Sequence, residues 1–248
     1  VKPRGRPYIG TSGWSYAHWS RGRFYPKGLP SRDWLAFYAE SYSTVEINLS
    51  FYRIPQPEMI DRWVEIAPQD FQFALKLWRG VTHLKKLADA DEWTRNFFEV
   101  ANRLGEKRGP LLVQLPPNFR RDIPRLESFL QSLPEAMAGM KWRVAVEFRH
   151  PDWLVPEVYA LLDRYDVALC LADLARCPIT TPNNASFLYV RRHGWHESPE
   201  GRYGDPQIEG DAARTRQWLE EGRDVYIYYN NDLGGHAVDN ATKLKESI

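Results

Sequence analysis

Cysteine is almost missing from this chain: 2 residues in 248, Cys170 in an apolar segment and Cys177 in a loop, with no CxxC and no His/Cys cluster. That excludes a disulfide-dense scaffold and a thiolate metal site, and leaves two reduced thiols in or near a core. An excess of either charge is missing too. With 33 basic and 32 acidic residues the net charge is +1, so no global field steers the protein toward nucleic acid or an anionic bilayer, although a local basic patch stays open. No apolar run reaches the roughly 18 residues of a spanning helix, and the start is not signal-like, which points to a cytoplasmic protein with no membrane partner. No GxGxxG or P-loop pattern follows any predicted strand, so nucleotide fingerprints are absent. Linkers and internal repeats are absent as well. Residues 8–248 therefore read as one domain behind a frayed basic lead-in over 1–7, and the lack of an initiator Met suggests a trimmed chain.

What is present is a parity pattern. In Thr44-Val45-Glu46-Ile47-Asn48, Val45 and Ile47 share one face and Glu46 and Asn48 the other. Phe71, Phe73 and Leu75 oppose Lys76; Val144, Val146 and Phe148 oppose Glu147 and Arg149. Leu188 and Val190 oppose Tyr189, Arg191 and His193, and Val225 and Ile227 oppose Tyr226, Tyr228 and Asn230. The spacing predicts strands near 8–12, 44–48, 71–76, 111–115, 143–148, 167–172, 186–192 and 225–229. Helices are predicted near 31–41, 57–66, 91–104, 123–133, 154–165 and 211–221. Eight strands alternating with helices make an α/β fold, a (β/α)8 TIM-type barrel, the economical architecture. Its sixth helix is irregular or missing, because 177–184 leaves no room for one, and the last helix reads as cut short at Ile248. A doubly wound open sheet is the alternative, but its central strands would read as continuous apolar runs. Here one face carries Gln72, Lys76, Gln114, Glu147 and Arg191. Charged groups converging on the carboxyl ends of strands mark the mouth where such barrels hold their sites.

The residues at that mouth support three chemistries. Glu46 and Glu147 are candidates for general acid and base, with Lys76 as a third catalytic candidate. The two carboxylates lie three strands apart, roughly 14 Å along the wall at about 4.8 Å per strand, nearer the spacing of inverting than of retaining glycosidases. Ion pairing among Glu46, Lys76, Glu147 and Arg149 is the plainer alternative. Lys76, Arg149 and Arg191 suit a phosphate or carboxylate on the substrate. Ser12, Asn48, Gln114, Asp173, Tyr189, His193 and Asn230 stand as binding candidates beside them, with His83 near the site. Trp14, Trp19, Trp78 and Trp195 fall in mouth-side loops, where an aromatic face stacks on a sugar or base. A divalent metal on Glu147, Asp173, His193 and Asp232 is the rival. Three cations (Lys76, Arg149, Arg191) against three carboxylates (Glu46, Glu147, Asp173) leave little need for one, so no cofactor is expected. Asp173 also has the parity of Leu169 and Leu171, and faces the site only if its strand turns.

The same segments carry a resemblance. Gly10-Thr11-Ser12-Gly13-Trp14-Ser15-Tyr16, Phe24-Tyr25-Pro26, Val45-Glu46-Ile47-Asn48 with Phe51-Tyr52-Arg53, and Lys76 followed by Thr82-His83 form its first half. Gln114-Leu115-Pro116-Pro117, Glu147-Phe148-Arg149-His150-Pro151 with Trp153, Tyr189-Val190-Arg191 with His193-Gly194, Tyr203, and Asn230-Asn231 with Ala237 and Asn240-Ala241 complete it. Over about residues 8–242 the chain resembles the domain of unknown function 72 family, the YecE-like proteins. The resemblance implies a TIM-type barrel and no settled activity. Taken together, the residues predict an enzyme doing metal-independent acid/base chemistry, hydrolase-like on a glycosidic or phosphoester bond. Its partner is a small sugar- or phosphate-bearing substrate. A non-catalytic nucleic-acid or sugar-phosphate binding module, using Trp14, Trp19 and Arg191, is the second reading. A metal-dependent hydrolase or isomerase is the third.

Overall fold

The structure, a computed structural model, describes residues 4–194, 198 and 201–248. Trp195 lies outside the described residues. Among the described residues short alternating segments form nine strands: β1 (Pro7–Thr11), β2 (Thr44–Ile47), β3 (Gln72–Lys76), β4 (Arg108–Gln114), β5 (Val144–Glu147), β6 (Val167–Leu169), β7 (Leu171–Ala172), β8 (Phe187–Arg192) and β9 (Asp224–Tyr229). The helices are α1 (Trp34–Ser41), α2 (Leu49–Tyr52), α3 (Pro57–Ile66), α4 (Asp91–Ala101), α5 (Ile123–Ala136), α6 (Pro156–Arg164), α7 (Asp205–Glu220) and α8 (His236–Glu246). Pro57, Pro124, Pro156 and Pro206 sit in the first two positions of four of them, where a missing N–H leaves nothing unpaired. The Asp122 carboxylate caps α5 by accepting the Arg125 N–H at 3.1 Å.

The strands form two parallel sheets, ordered β1-β9-β8-β7 and β2-β3-β4-β5-β6. The segment predicted as one strand over 167–172 divides at Cys170: β6 pairs with β5 and β7 with β8, so one stretch of chain serves both sheets. At the opposite side a single parallel bridge, Ser12 to Glu46, links β1 to β2. Gly10 permits that approach, since a Cβ there would stand 2.3 Å from the Thr44 carbonyl oxygen.

No helix separates β7 from β8. Asn183, 4% exposed, fills part of that role: its Oδ1 accepts the Leu169 N–H at 2.8 Å and its Nδ2 donates to the Val167 carbonyl at 2.9 Å. One side chain thus satisfies backbone groups of β6 that burial would otherwise leave unpaired. Helix α7 begins at Asp205 rather than near 211, where Pro206 starts it and Ile208 is buried. Helix α4 stops at Ala101 and gives way to a 3-10 stretch, Asn102–Lys107, that turns at Gly105 (φ 54°, ψ −127°). In the lead-in, the Gly5 N–H bonds the Leu219 carbonyl at 2.9 Å and the Arg6 N–H bonds Asp224 at 2.8 Å, so this part of it is tied down.

The apolar residues fall into two clusters. The larger lies between strands and helices; the smaller is an inner cluster in which Phe187, Tyr189, Tyr226 and Tyr228 of β8 and β9 meet Ala74, Leu112, Ala145 and Ala168 of β3 to β6. Large side chains from one sheet fill the room left by small ones on the other. Both cysteines are free and buried. Among the described residues no helix is long and apolar enough to cross a membrane.

Candidate active site

The inner rows continue past the apolar cluster into charge at the carboxyl ends of the strands. Two residues beyond Ala74, Leu112, Ala145 and Tyr189 come Lys76, Gln114, Glu147 and Arg191, on the same face by the period of a strand. Glu46, Glu147 and Arg191 are at most 1% exposed.

Arg191 is the centre of the arrangement. Its Nη2 stands 2.9 Å from Glu46 Oε1, its Nε 3.0 Å from Glu46 Oε2, and its Nη1 2.6 Å from Glu147 Oε2. Two carboxylates from strands of one sheet are thereby held by one guanidinium from the other. Glu46 is further bound by the hydroxyls of Ser12 and Tyr189, each donating at 2.7 Å. Glu147 also accepts from Arg149 Nε. Burial pushes the Glu147 carboxyl up, but Arg191 and then Arg149 outweigh it and hold the group well below the usual carboxylate range. Burial works against the charge on Arg191 as well, and Glu147 and Glu46 overcome it.

Lys76 is the exception. It is 7% exposed, its amine lies 4.0 Å above the Phe51 ring, and it makes no hydrogen bond or ion pair through that amine among the described residues. Burial, reinforced by the positive charge of Arg191, pushes its pKa down from 10.5 to about 7. Ser50 fixes the backbone beneath: its Oγ accepts the Lys76 N–H at 3.1 Å.

The remaining candidates divide. His193 joins the network edgewise: its Nε2 is buried 3.8 Å from Glu147 Oε1 and has no hydrogen bond among the described residues. Burial and then Arg191 lower its pKa to about 3, so the ring is neutral at neutral pH. Gln114 Nε2 lies 3.4 Å from His83 Nε2, and the other ring nitrogen, Nδ1, is 2.8 Å from Thr82 Oγ1. Asn48 is half-buried, with Nδ2 3.5 Å from the Ser12 carbonyl. Asn230 follows β9 on the inner parity, half-buried, its backbone N–H on the Arg192 carbonyl at 2.7 Å.

Asp173 is placed elsewhere: Oδ1 accepts the His193 backbone N–H at 2.9 Å and Oδ2 accepts from the Tyr203 hydroxyl. Its outward parity holds, so among the described residues the balance at the mouth is three cations against two carboxylates. Asp232 faces His18, 3.4 Å away. Among the described residues no group of three or more His, Cys, Asp or Glu side chains is placed to hold a metal ion. Trp19 is fully buried, Trp14 packs edge-on against Trp63, and Trp78 packs against Trp93.

Four contributors carried no site role in the sequence pattern. Cys170 lies with Sγ 4.0 Å from Glu147 Oε2, on the parity of Ala168 and Ala172, which gave its position away. Phe51 and Ser50 belong to α2, a single turn after β2 that no periodicity announces. Tyr16 donates to the Ser12 carbonyl at 2.5 Å, and burial, then Asp232 and Glu46, raise its pKa. The rim has a strained segment: after the π-helical turn Gly80–Leu84, which carries His83, Lys86, Leu87 and Asp89 all adopt positive φ of 47° to 69°. Such strain persists only where surroundings enforce it, and it gathers at functional sites.

Similar proteins share this frame. A crystal structure of a DUF72 family protein from Thermotoga maritima superposes with a TM-score of 0.84 at 26% identity, covering 97% of this chain and 98% of that one. YunF of Bacillus subtilis is 24% identical over 97% of this chain and 94% of its own length. YecE of Escherichia coli is 33% identical over 147 residues, 59% of this chain, and the match spans about half of YecE, 49%. A D-allulose 3-epimerase from Methylomonas sp. shares the fold alone, at 16% identity and a TM-score of 0.57. The family profile described as "Protein of unknown function DUF72" matches residues 8–248, from the first strand through the last helix, and the chain belongs to that family.

Proposed function

We propose that the protein is an enzyme whose carboxyl-end mouth performs metal-independent acid/base chemistry on a small polyhydroxylated or anionic substrate, with Lys76 as the group that takes and returns the proton. The observation that carries this reading is the amine of Lys76, unpartnered among the described residues, beside a network in which the carboxylates are already held. Glu46 and Glu147 share one guanidinium, so they serve the charge balance around Arg191 rather than flanking a scissile bond as an acid and base pair. An amine whose pKa lies near 7 is poised for proton transfer at neutral pH. The surplus of one cation over the carboxylates is relieved either by the neutral amine or by an anion bound beside it. Arg149, a quarter exposed, has terminal nitrogens that make no hydrogen bond among the described residues, and it suits a substrate carboxylate or phosphate.

The Ser12–Glu46 bridge on one side and the shared β6–β7 segment on the other support reading the two sheets as halves of a (β/α)8 ring. Sites of that architecture lie at the carboxyl ends of the strands. The aromatic-groove reading of a nucleic-acid binder draws less support, since Trp19 is buried and Trp14 packs on Trp63.

The test is a turnover screen of the purified chain against sugars, sugar phosphates and hydroxy acids, run beside Lys76→Met. On a substrate that wild type converts, the variant is expected to lose about 10²- to 10⁴-fold in kcat, with the acid limb of the wild-type profile near pH 7. Full turnover by the variant would sink the assignment of Lys76.

A further inference from the structure

The Lys76 amine has chemistry open to it beyond proton transfer. A charged lysine in a protein interior ordinarily meets a carboxylate, because an unpaired buried charge is costly. Here the two nearby carboxylates are engaged by Arg191, Arg149, Ser12 and Tyr189. What the amine does meet is the face of Phe51 at 4.0 Å, a surface that stabilises a cation without giving it a hydrogen bond. A structural lysine is poorly served by this arrangement. A nucleophilic one is well served, because its lone pair is free and the cation formed later has a π-face and two buried carboxylates nearby.

We propose that Lys76 forms an imine with a small carbonyl substrate that carries a carboxylate or phosphate, the anionic group being held by the free edge of Arg149. The inference rests on Lys76 being the reactive group of the mouth. The amine lone pair adds to the carbonyl carbon to give a carbinolamine; the carbon–oxygen bond then breaks and the oxygen leaves as water with the two amine hydrogens. The product is a C=N bond, and one further proton on nitrogen makes it the iminium. No oxidant, reductant or metal enters the balance. The iminium draws electrons from the neighbouring carbon and acidifies its C–H bonds, which is the use an isomerase, lyase or aldol-type enzyme makes of such a link.

Reductive trapping tests the proposal on the wild-type chain. The protein is incubated at pH 7 with glyoxylate, glycolaldehyde phosphate or uncharged glycolaldehyde, each with sodium cyanoborohydride, and the modified lysines are mapped by peptide mass. Hydride addition to the iminium carbon fixes the adduct as a secondary amine. Lys76 is expected to be modified about tenfold or more faster than any exposed lysine, since at pH 7 an ordinary amine is almost wholly protonated. One of the two anionic probes should outpace glycolaldehyde at that site, and which one does distinguishes carboxylate from phosphate. In Arg149→Gln the ratio of anionic to uncharged labelling at Lys76 should fall toward one, a readout unaffected by any change in the amine itself. Labelling spread over surface lysines with no preference for Lys76 overturns the imine. Rapid labelling of Lys76 with no preference for an anion overturns the assigned substrate class. If Lys76→Met loses turnover while wild type gives no trapped adduct, Lys76 remains the proton carrier and only the imine fails.

Discussion

The two ends of the strands use arginine in opposite ways. At the carboxyl end Arg191 is 1% exposed and spans two buried carboxylates from the facing sheet. At the amino end a cavity of about 530 Å³ is lined by Arg4, Arg6, Arg108, Lys141 and Arg143 together with Glu106 and Asp224. There the ion pairs are partly open to solvent: Arg143, 43% exposed, meets Asp224, 21% exposed, at 2.7 Å, and Arg108, 18% exposed, meets Glu106, 84% exposed, at 3.4 Å. Charge count alone would make the amino end the more conspicuous site. Burial favours the carboxyl end as the proposed site, because only where water is excluded do neighbouring charges shift one another's proton affinity strongly.

The largest expected effect breaks the contrast directly. Arg191→Met leaves Glu46 and Glu147 buried without their common partner and should cost about 3 to 5 kcal/mol, whereas Arg143→Met, at an exposed pair, should cost about 1 kcal/mol or less. Urea unfolding of both variants checks this; equal losses would mean that the two ends are energetically alike. Next in size is Tyr189→Phe, which removes a hydrogen bond to a buried carboxylate and should cost about 1.5 to 3 kcal/mol, read from the shift in urea midpoint.

Lys76 gives the most diagnostic dependence, because its effect on stability changes with pH. Its folded pKa, about 7, lies below the ordinary 10.5, so between those values the unfolded chain binds the proton that the folded chain has lost. Stability from this group is fully present above about pH 10.5, declines as pH falls, and is lost once pH passes below about 7. Wild type should therefore gain stability relative to Lys76→Met as pH rises from 7 to 10. A flat difference across that range would show that the amine titrates normally in the folded state.

Much of this was legible in the residues because strand periodicity is strictly two: Val45 and Ile47 outward put Glu46 inward, and the same parity placed Lys76, Glu147, Tyr189, Arg191 and Asn230 on one face. Parity could even hold Asp173 apart from them. It could not show that Glu46 and Glu147 share one partner. Their separation of roughly 14 Å was counted around the wall, and the structure connects them across the interior through Arg191. Nor could it show Phe51 under the Lys76 amine, since α2 is a single turn, or Asn183 tying down β6, since one buried asparagine in a loop has no period.

The sequence by itself determined the alternation of strands and helices, the family and the face on which each charged side chain stands, because these follow from local backbone geometry and side-chain order. Only the tertiary structure decided which charges pair and which one is left over. Partner choice depends on distances across the interior and on exclusion of water, neither of which is a property of any single segment.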